Sequence, residues 1–482
     1  MISHDFGNTG HTVWEVMEMT DEKIRAVFAG AGDFVARELR CGGLTVHAYF
    51  IDGLTAGGNI AEYVFKPLYE NRAVDMPSFY HQCLKGGVYC ASTVPCKDLD
   101  DAAMKLVNGF CVVLFPGAGA IAYEMKTPVN RSPGPPEVEN TVKGPKDAFV
   151  ENMRINTSLI RRHLRSPDLR LYQTTVGRRS LTNVTIIYME GLTNPKLVER
   201  MKRRLSSIDV DGFLSPAQVE EYVTGSRATA FPLIQYTERS DKFCQGILDG
   251  RVGLLVDGLP LAYLVPVDLR YLMESAEDRG RDYIAASCIR ILRYLALLIG
   301  LLLPGIYIAL ATYHQAVIPL PLLRSIIESK AAVPFSTTTE VLGLLIAFEL
   351  LQESGVHLPQ AVGQSVSVIG GIIMGTAAVE AGLISPVALI CVSITGICGF
   401  VQPNRDLAEA NRIWRFVIAG ISAMAGIWGT LAGMAILLFH LGGLRSLDVP
   451  YLSIRGGLLR PRFINRKFRD SRLEPRDRRN QK

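Results

Sequence analysis

Between Lys330 and Arg405 the chain contains no lysine or arginine at all. Charge of either sign is scarce over a wider stretch: 14 of the 154 residues in 287–440 are charged, about 9%, against 83 of the other 328, about 25%, the level of soluble domains. That split excludes a wholly soluble enzyme and a disordered chain. Nine cysteines occur without a CxxC or a Cys/His metal spacing, which excludes a disulfide scaffold and points to reduced thiols. Met1 to Thr20 is polar, so no secretory signal is expected there. Glycine-rich stretches at 30–32 and 116–119 lack a Walker lysine and the dinucleotide spacing, and read as turns. No catalytic constellation, metal site or cofactor site is expected.

Long uncharged runs are what the second half does contain. Crossing hydrocarbon takes about 20 apolar residues. Four runs suffice, placing helices near 291–312, 362–380, 383–402 and 415–440. A fifth segment, 337–352, is shorter and carries Glu340 and Glu349, as a re-entrant or interfacial helix would. Arg270, Arg279, Arg281, Arg290 and Arg293 precede the first span, and beyond Leu441 twelve basic residues face four acidic ones. Both ends therefore prefer the cytoplasmic side, which requires an even number of crossings. The tail is expected to meet anionic headgroups rather than nucleic acid.

The first half reads as α/β. Thr45–Ile51, Phe110–Phe115, Val184–Tyr188 and Val252–Val256 are β-branched apolar runs bounded by turn residues. Asp52-Gly53-Leu54-Thr55 recurs as Glu190-Gly191-Leu192-Thr193 at an offset of 138, and Gly109…Gly117 as Gly250…Gly258 at 141. The expected fold is an α/β amino-terminal domain of two related subdomains, an α-helical polytopic membrane domain and a basic tail. The boundaries read 1–24 tail, 25–126 first subdomain, 127–145 proline-rich linker, 146–275 second subdomain, 287–440 membrane domain and 441–482 tail.

Carboxylates at membrane depth are costly and face water-filled cavities or partners. With no base nearby in sequence, Glu340, Glu349 and Glu353, together with Gln364, are candidates for an ion path; a carboxylate ring in an oligomer is one arrangement. Glu353 and Glu380 fit caps at headgroup level equally well. Gly363, Ser367, Gly371 and Gly375 recur every four residues, a spacing that lets helices approach closely. Arg161, Arg162, His163 and Arg165 form a basic helix end that reads as a solvated face, and Asp147 with Glu151 an acidic pair near a helix start.

Several strings resemble the bacterial spore-germination receptor A-subunit family of the GerA type. They include Gly144-Pro145-Lys146-Asp147-Ala148-Phe149-Val150-Glu151-Asn152, Val176-Gly177-Arg178-Arg179-Ser180, Leu303-Pro304-Gly305-Ile306-Tyr307 and Phe348-Glu349-Leu350-Leu351. Further matches run in order through residues 25–455. The resemblance implies a spore inner-membrane protein with both termini on the core side. It also implies a homo-oligomer in contact with membrane lipids that acts with B and C subunits as a nutrient-gated monovalent cation channel. His357, Ala316 and Thr376 depart from the family pattern. They leave open an accessory branch, of the stage V sporulation AF type, that modulates receptors without sensing nutrients.

Overall fold

The computed structural model describes residues 19–127, 134, 136, 139, 141, 143–225, 229–356 and 375–452. Its first half is built on two five-stranded antiparallel sheets. The first contains β1 (Phe34–Cys41), β2 (Leu44–Ile51), β3 (Thr93–Cys96), β4 (Phe110–Phe115) and β5 (Gly119–Glu124), in the order β1-β2-β4-β5-β3. The second contains β6 (Leu169–Val176), β7 (Thr182–Met189), β8 (Gln235–Thr237), β9 (Val252–Val256) and β10 (Ala262–Val265), in the order β6-β7-β9-β10-β8. Adding five to each label turns one order into the other. The segments that recur in the sequence are β2 with β7 and β4 with β9, and they occupy matching places.

Strand side chains point alternately to the two faces of a sheet, and where both faces are covered, as in β4, β5, β9 and β10, the strands are buried nearly throughout. In the second sheet Ile187, Leu255 and Leu264 enter one core, while Ile186, Leu254 and Tyr263 enter the other. Helices supply the covers. The first sheet carries α1 (Leu99–Val107), and the second carries α2 (Met153–His163), α3 (Pro195–Ser206), α4 (Pro216–Thr224) and α5 (Ser240–Leu248). Helix α2 starts beyond the acidic pair Asp147 and Glu151, because Asn152 caps it by accepting from the Arg154 and Ile155 N–H groups. Asp147 therefore lies outside the helix.

The helical half comprises α6 (Tyr283–Thr312), α7 (Leu320–Lys330), α8 (Thr337–Val356), α9 (Pro386–Phe400) and α10 (Arg405–Gly443). Among the described residues two helices are long and apolar enough to cross a membrane, α6 and α10; most of the expected span 362–380 lies outside the described residues. Helix α10 is not one rod. At Gly426 the backbone takes φ 60° and ψ −137° and the chain reverses. Trp414 and His440, 26 residues apart, stand with ring centroids 5.3 Å from each other, and the Ser422 and Thr430 hydroxyls are 2.8 Å apart. A continuous helix would separate the rings by about 39 Å. The single expected span at 415–440 is thus a hairpin of two arms. An uncharged run fixes apolarity but not direction, which one glycine reverses.

Helix α8 fills the expected segment 337–352. It is 20 residues long and runs parallel to α9, with Glu340 beside Ser385 and Phe348 beside Gly396.

Candidate functional site

Glu340 stands one turn into α8 and is 4% exposed. The Ser385 N–H, at the N-cap of α9, donates to its Oε1, and Lys330 Nζ lies 3.7 Å from its Oε2. The helix N-terminus supplies a hydrogen bond and the ammonium a counter-charge, while Oε2 itself has no hydrogen-bond partner among the described residues. Glu349 lies nine residues further along and accepts from Arg412 at 3.0 Å and Arg415 at 2.5 Å. Gln352 adds a second acceptor for Arg412 at 2.8 Å. Arg415 is 3% exposed, so this charge pair sits inside the helical layer.

The two carboxylates are thus held separately, Glu340 beside Lys330 and Glu349 between two guanidinium groups. Within the base-free segment neither carboxylate has a basic partner, but the segment is not where their partners lie. Arg412 and Arg415 lie just beyond its end, and their i,i+3 spacing, which puts both on one helix face, was the available signal. Glu353 is exposed. Gln364, Gly363, Ser367 and Gly371 lie outside the described residues. Gly375 approaches α9, where an added Cβ would meet Leu389 Cδ2 at 3.4 Å. The tightest approaches lie elsewhere: a Cβ on Gly396 would stand 2.4 Å from Phe348, and one on Gly429 2.3 Å from the Ile421 carbonyl oxygen.

Both ends of the helical layer meet the second α/β unit. At the start of α6, Arg293 donates to Asp278 at 2.7 Å, with Arg290 3.5 Å from the same carboxylate, and all three are buried. At the start of α10, Asn404 donates to Gln235 at 3.0 Å, and Tyr236 donates to Asp406 at 3.2 Å. At its end His440 pairs with Thr229 at 2.9 Å, and the following hairpin places Ser446 so that it accepts from the Val267 N–H. One apolar core runs through this junction, from Phe231, Leu233 and Met273 to Leu301, Leu407 and Leu441. Close by, burial and the Asp406 charge push the Glu220 carboxyl up to about 6.

The two α/β units are joined by polar contacts. Arg161, read from sequence as part of a solvated basic face, is 1% exposed and grips Asp33 of the first unit with two hydrogen bonds of 2.8 Å. The Gly32 N–H donates to the Leu171 carbonyl at 2.7 Å. Residues of the expected linker are tied to the second unit, with Arg239 donating to Thr141 and to the Pro145 carbonyl. His163 meets Asp147 at 2.8 Å and Ser240 at 3.1 Å through the same Nε2. That arrangement lacks the separate nitrogens of a Ser-His-Asp relay. Between the units lies a cavity of about 300 Å³, lined by Asp52, Arg154, Gln173, Asn183, Thr185 and Asp257 among others. Thr185 is 1% exposed, and its hydroxyl has no hydrogen-bond partner among the described residues. The sequence reading missed this cleft, because its lining comes from strands and turns far apart in the chain.

Comparison with known proteins adds the family. A family model described as Bacillus/Clostridium GerA spore germination protein matches residues 22–471. Spore germination protein KA of Bacillus subtilis is 32% identical over 92% of this chain and 80% of its own. Spore germination protein A1 of the same organism is 35% identical over 73% of each chain. An uncharacterized membrane protein of that organism, YfkQ, is 32% identical over 90% of this chain and 84% of its own. Among solved structures, the N-terminal domain of the A subunit of the Bacillus megaterium spore germinant receptor GerK3 is similar at 24% identity. That match covers 50% of this chain and 91% of that one, with a TM-score of 0.40.

Proposed function

The chain belongs to the Bacillus/Clostridium GerA spore germination protein family, and from that premise we propose that it is a germinant-receptor A subunit. In this reading it oligomerises in the spore inner membrane, with B and C subunits, as a nutrient-gated channel for monovalent cations. Both termini lie on the core side, and lipids surround the helical layer. The observation that carries the reading is the pairing of Glu349 with Arg412 and Arg415 inside an apolar helical layer. A membrane protein keeps buried ionisable groups at a cost, and such groups mark ion pathways. A carboxylate clamped by two guanidinium groups is a closed arrangement; releasing it presents negative charge to a cation.

The junction supports gating from the α/β side. Asp278 holds the start of α6, and Gly280, two residues on, packs against the Lys143 carbonyl. A displacement between the α/β units therefore reaches a span through contacting groups. The polar cleft is large enough for a small zwitterion and supports a nutrient response in the same half. The matching strand orders support descent of the two units from one duplicated unit.

The test is potassium efflux from vesicles holding the chain with its B and C partners, comparing Glu349 with Glu349→Gln and the charge-conserving Glu349→Asp. Altered conductance in Glu349→Gln, restored towards normal in Glu349→Asp, supports the reading. Equal currents from all three folded proteins remove Glu349 from the path. Flux unaffected by nutrient and partners would favour the accessory role.

A further inference from the structure

Between the first span and α8, after a 3-10 turn at Gln315–Val317, lies helix α7, and its sequence, Leu-Pro-Leu-Leu-Arg-Ser-Ile-Ile-Glu-Ser-Lys, divides by face. At about 100° per residue, Leu320, Leu322, Leu323, Ile326 and Ile327 fall in one half of the wheel. Pro321, Arg324, Ser325, Glu328 and Ser329 fall in the other. Lys330 turns back into the bundle, donating to the Thr337 hydroxyl and approaching Glu340.

The bundle covers only the middle of the apolar half. Ile326 is 6% exposed, whereas Leu320, Leu322 and Ile327, which flank it on both sides, are 60%, 51% and 56% exposed. Open apolar flanks on both sides of a contact line, with a polar face turned away from it, suit a helix lying in a membrane interface.

Its level in the molecule agrees. Helix α6 leaves the α/β junction at Arg293 and ends near Tyr313, 20 residues later, a rise of about 30 Å, the thickness of a hydrocarbon core. The Tyr313 hydroxyl donates to the Ala423 carbonyl at 2.8 Å beside the Gly426 reversal, where Trp428 is 72% exposed. Tyrosine and tryptophan collect at the headgroup level. Helix α7 begins seven residues after Tyr313 and ends beside Glu340 and Gly382. Among the described residues no carboxylate pairs with Arg324 on its polar face.

We propose that α7 lies in the headgroup layer of a phospholipid leaflet at the end of the spans far from the α/β units, with Leu320, Leu322 and Ile327 in the acyl boundary and Arg324 towards lipid phosphate. The proposal rests on the reading of the helical layer as membrane-spanning.

Spin labels test it in the full chain, reconstituted with the exposed native Cys288 replaced (Cys288→Ser). Labels go at Ile327→Cys, Glu328→Cys and, as a span control, Ile299→Cys, which is exposed on α6. Collision with oxygen reports lipid, and collision with a water-soluble nickel complex reports water. The expected result is a several-fold excess of oxygen over nickel collisions at 327 and 299, and the reverse at 328. In vesicles of phosphatidylcholine, adding phosphatidylglycerol shifts the label at 328 towards lipid, and Arg324→Gln abolishes that shift.

Nickel access at both 327 and 328, with 299 in lipid, overturns the proposal and leaves the spans standing. Both positions closed to both reagents shows a covering protein surface, such as a second copy, and also overturns it. Nickel access at 299 removes the membrane reading itself. A shift at 328 that persists in Arg324→Gln refutes the phosphate contact.

Discussion

Arg415 is almost fully buried and has one anionic partner, so the cost of removing that partner is large. Glu349→Leu leaves a desolvated guanidinium uncompensated, a loss of about 3–5 kcal/mol, whereas adding Arg415→Met brings the protein back towards neutral. A double-mutant cycle on thermal unfolding in detergent checks this, and additive losses would show that the two side chains do not interact. Glu220 yields a prediction with a pH sign. Its carboxyl holds a proton up to about 6 in the folded chain against an ordinary 4.5, so protonation favours folding. Stability therefore rises as pH falls from about 6 to about 4.5, and the contribution is lost above 6. It is on the order of 2 kcal/mol. Glu220→Gln flattens that part of the stability profile; an unchanged slope would assign the dependence to another group. At this scale the sequence was only partly legible. It singled out Glu340 and Glu349 because charge is scarce around them. It could not show that Arg161 is buried, since the partner Asp33 lies 128 positions away.

Among elements, the strands were read most easily, because a strand covered on both faces is a continuous β-branched run. The helical half misled at α10, because an apolar run records burial or lipid contact and says nothing about where the chain turns. Gly426 carries the turn in α10. Its φ of 60° with ψ of −137° belongs to glycine, and an added Cβ would stand 2.8 Å from His314 Cε1. Gly426→Ala is expected to cost about 1–3 kcal/mol of backbone strain beyond the steric clash. It should also loosen the contact between the two arms. Cross-linking of cysteines placed at 422 and 430 reads this directly: fast in the parent and slow in Gly426→Ala. Equal rates would mean that the reversal does not depend on the glycine.

For the whole molecule, the helical layer leaves the second α/β unit at Asp282 and returns to it at Leu444, so one unit holds both ends of the layer. The α/β cleft, the linker against Gly280 and the Asp278 joint lie on the α/β side of the molecule, and the Glu349 clamp lies within the helical layer. In the proposed function the two sides are coupled in a gated cation conductance. Potassium efflux from vesicles that hold the chain with its B and C partners, recorded before and after candidate amino acids are added, tests it most directly. Efflux is expected to begin on addition and to change in Glu349→Gln. No efflux from a folded, assembled complex exposed to nutrients that germinate the parent spores would contradict it.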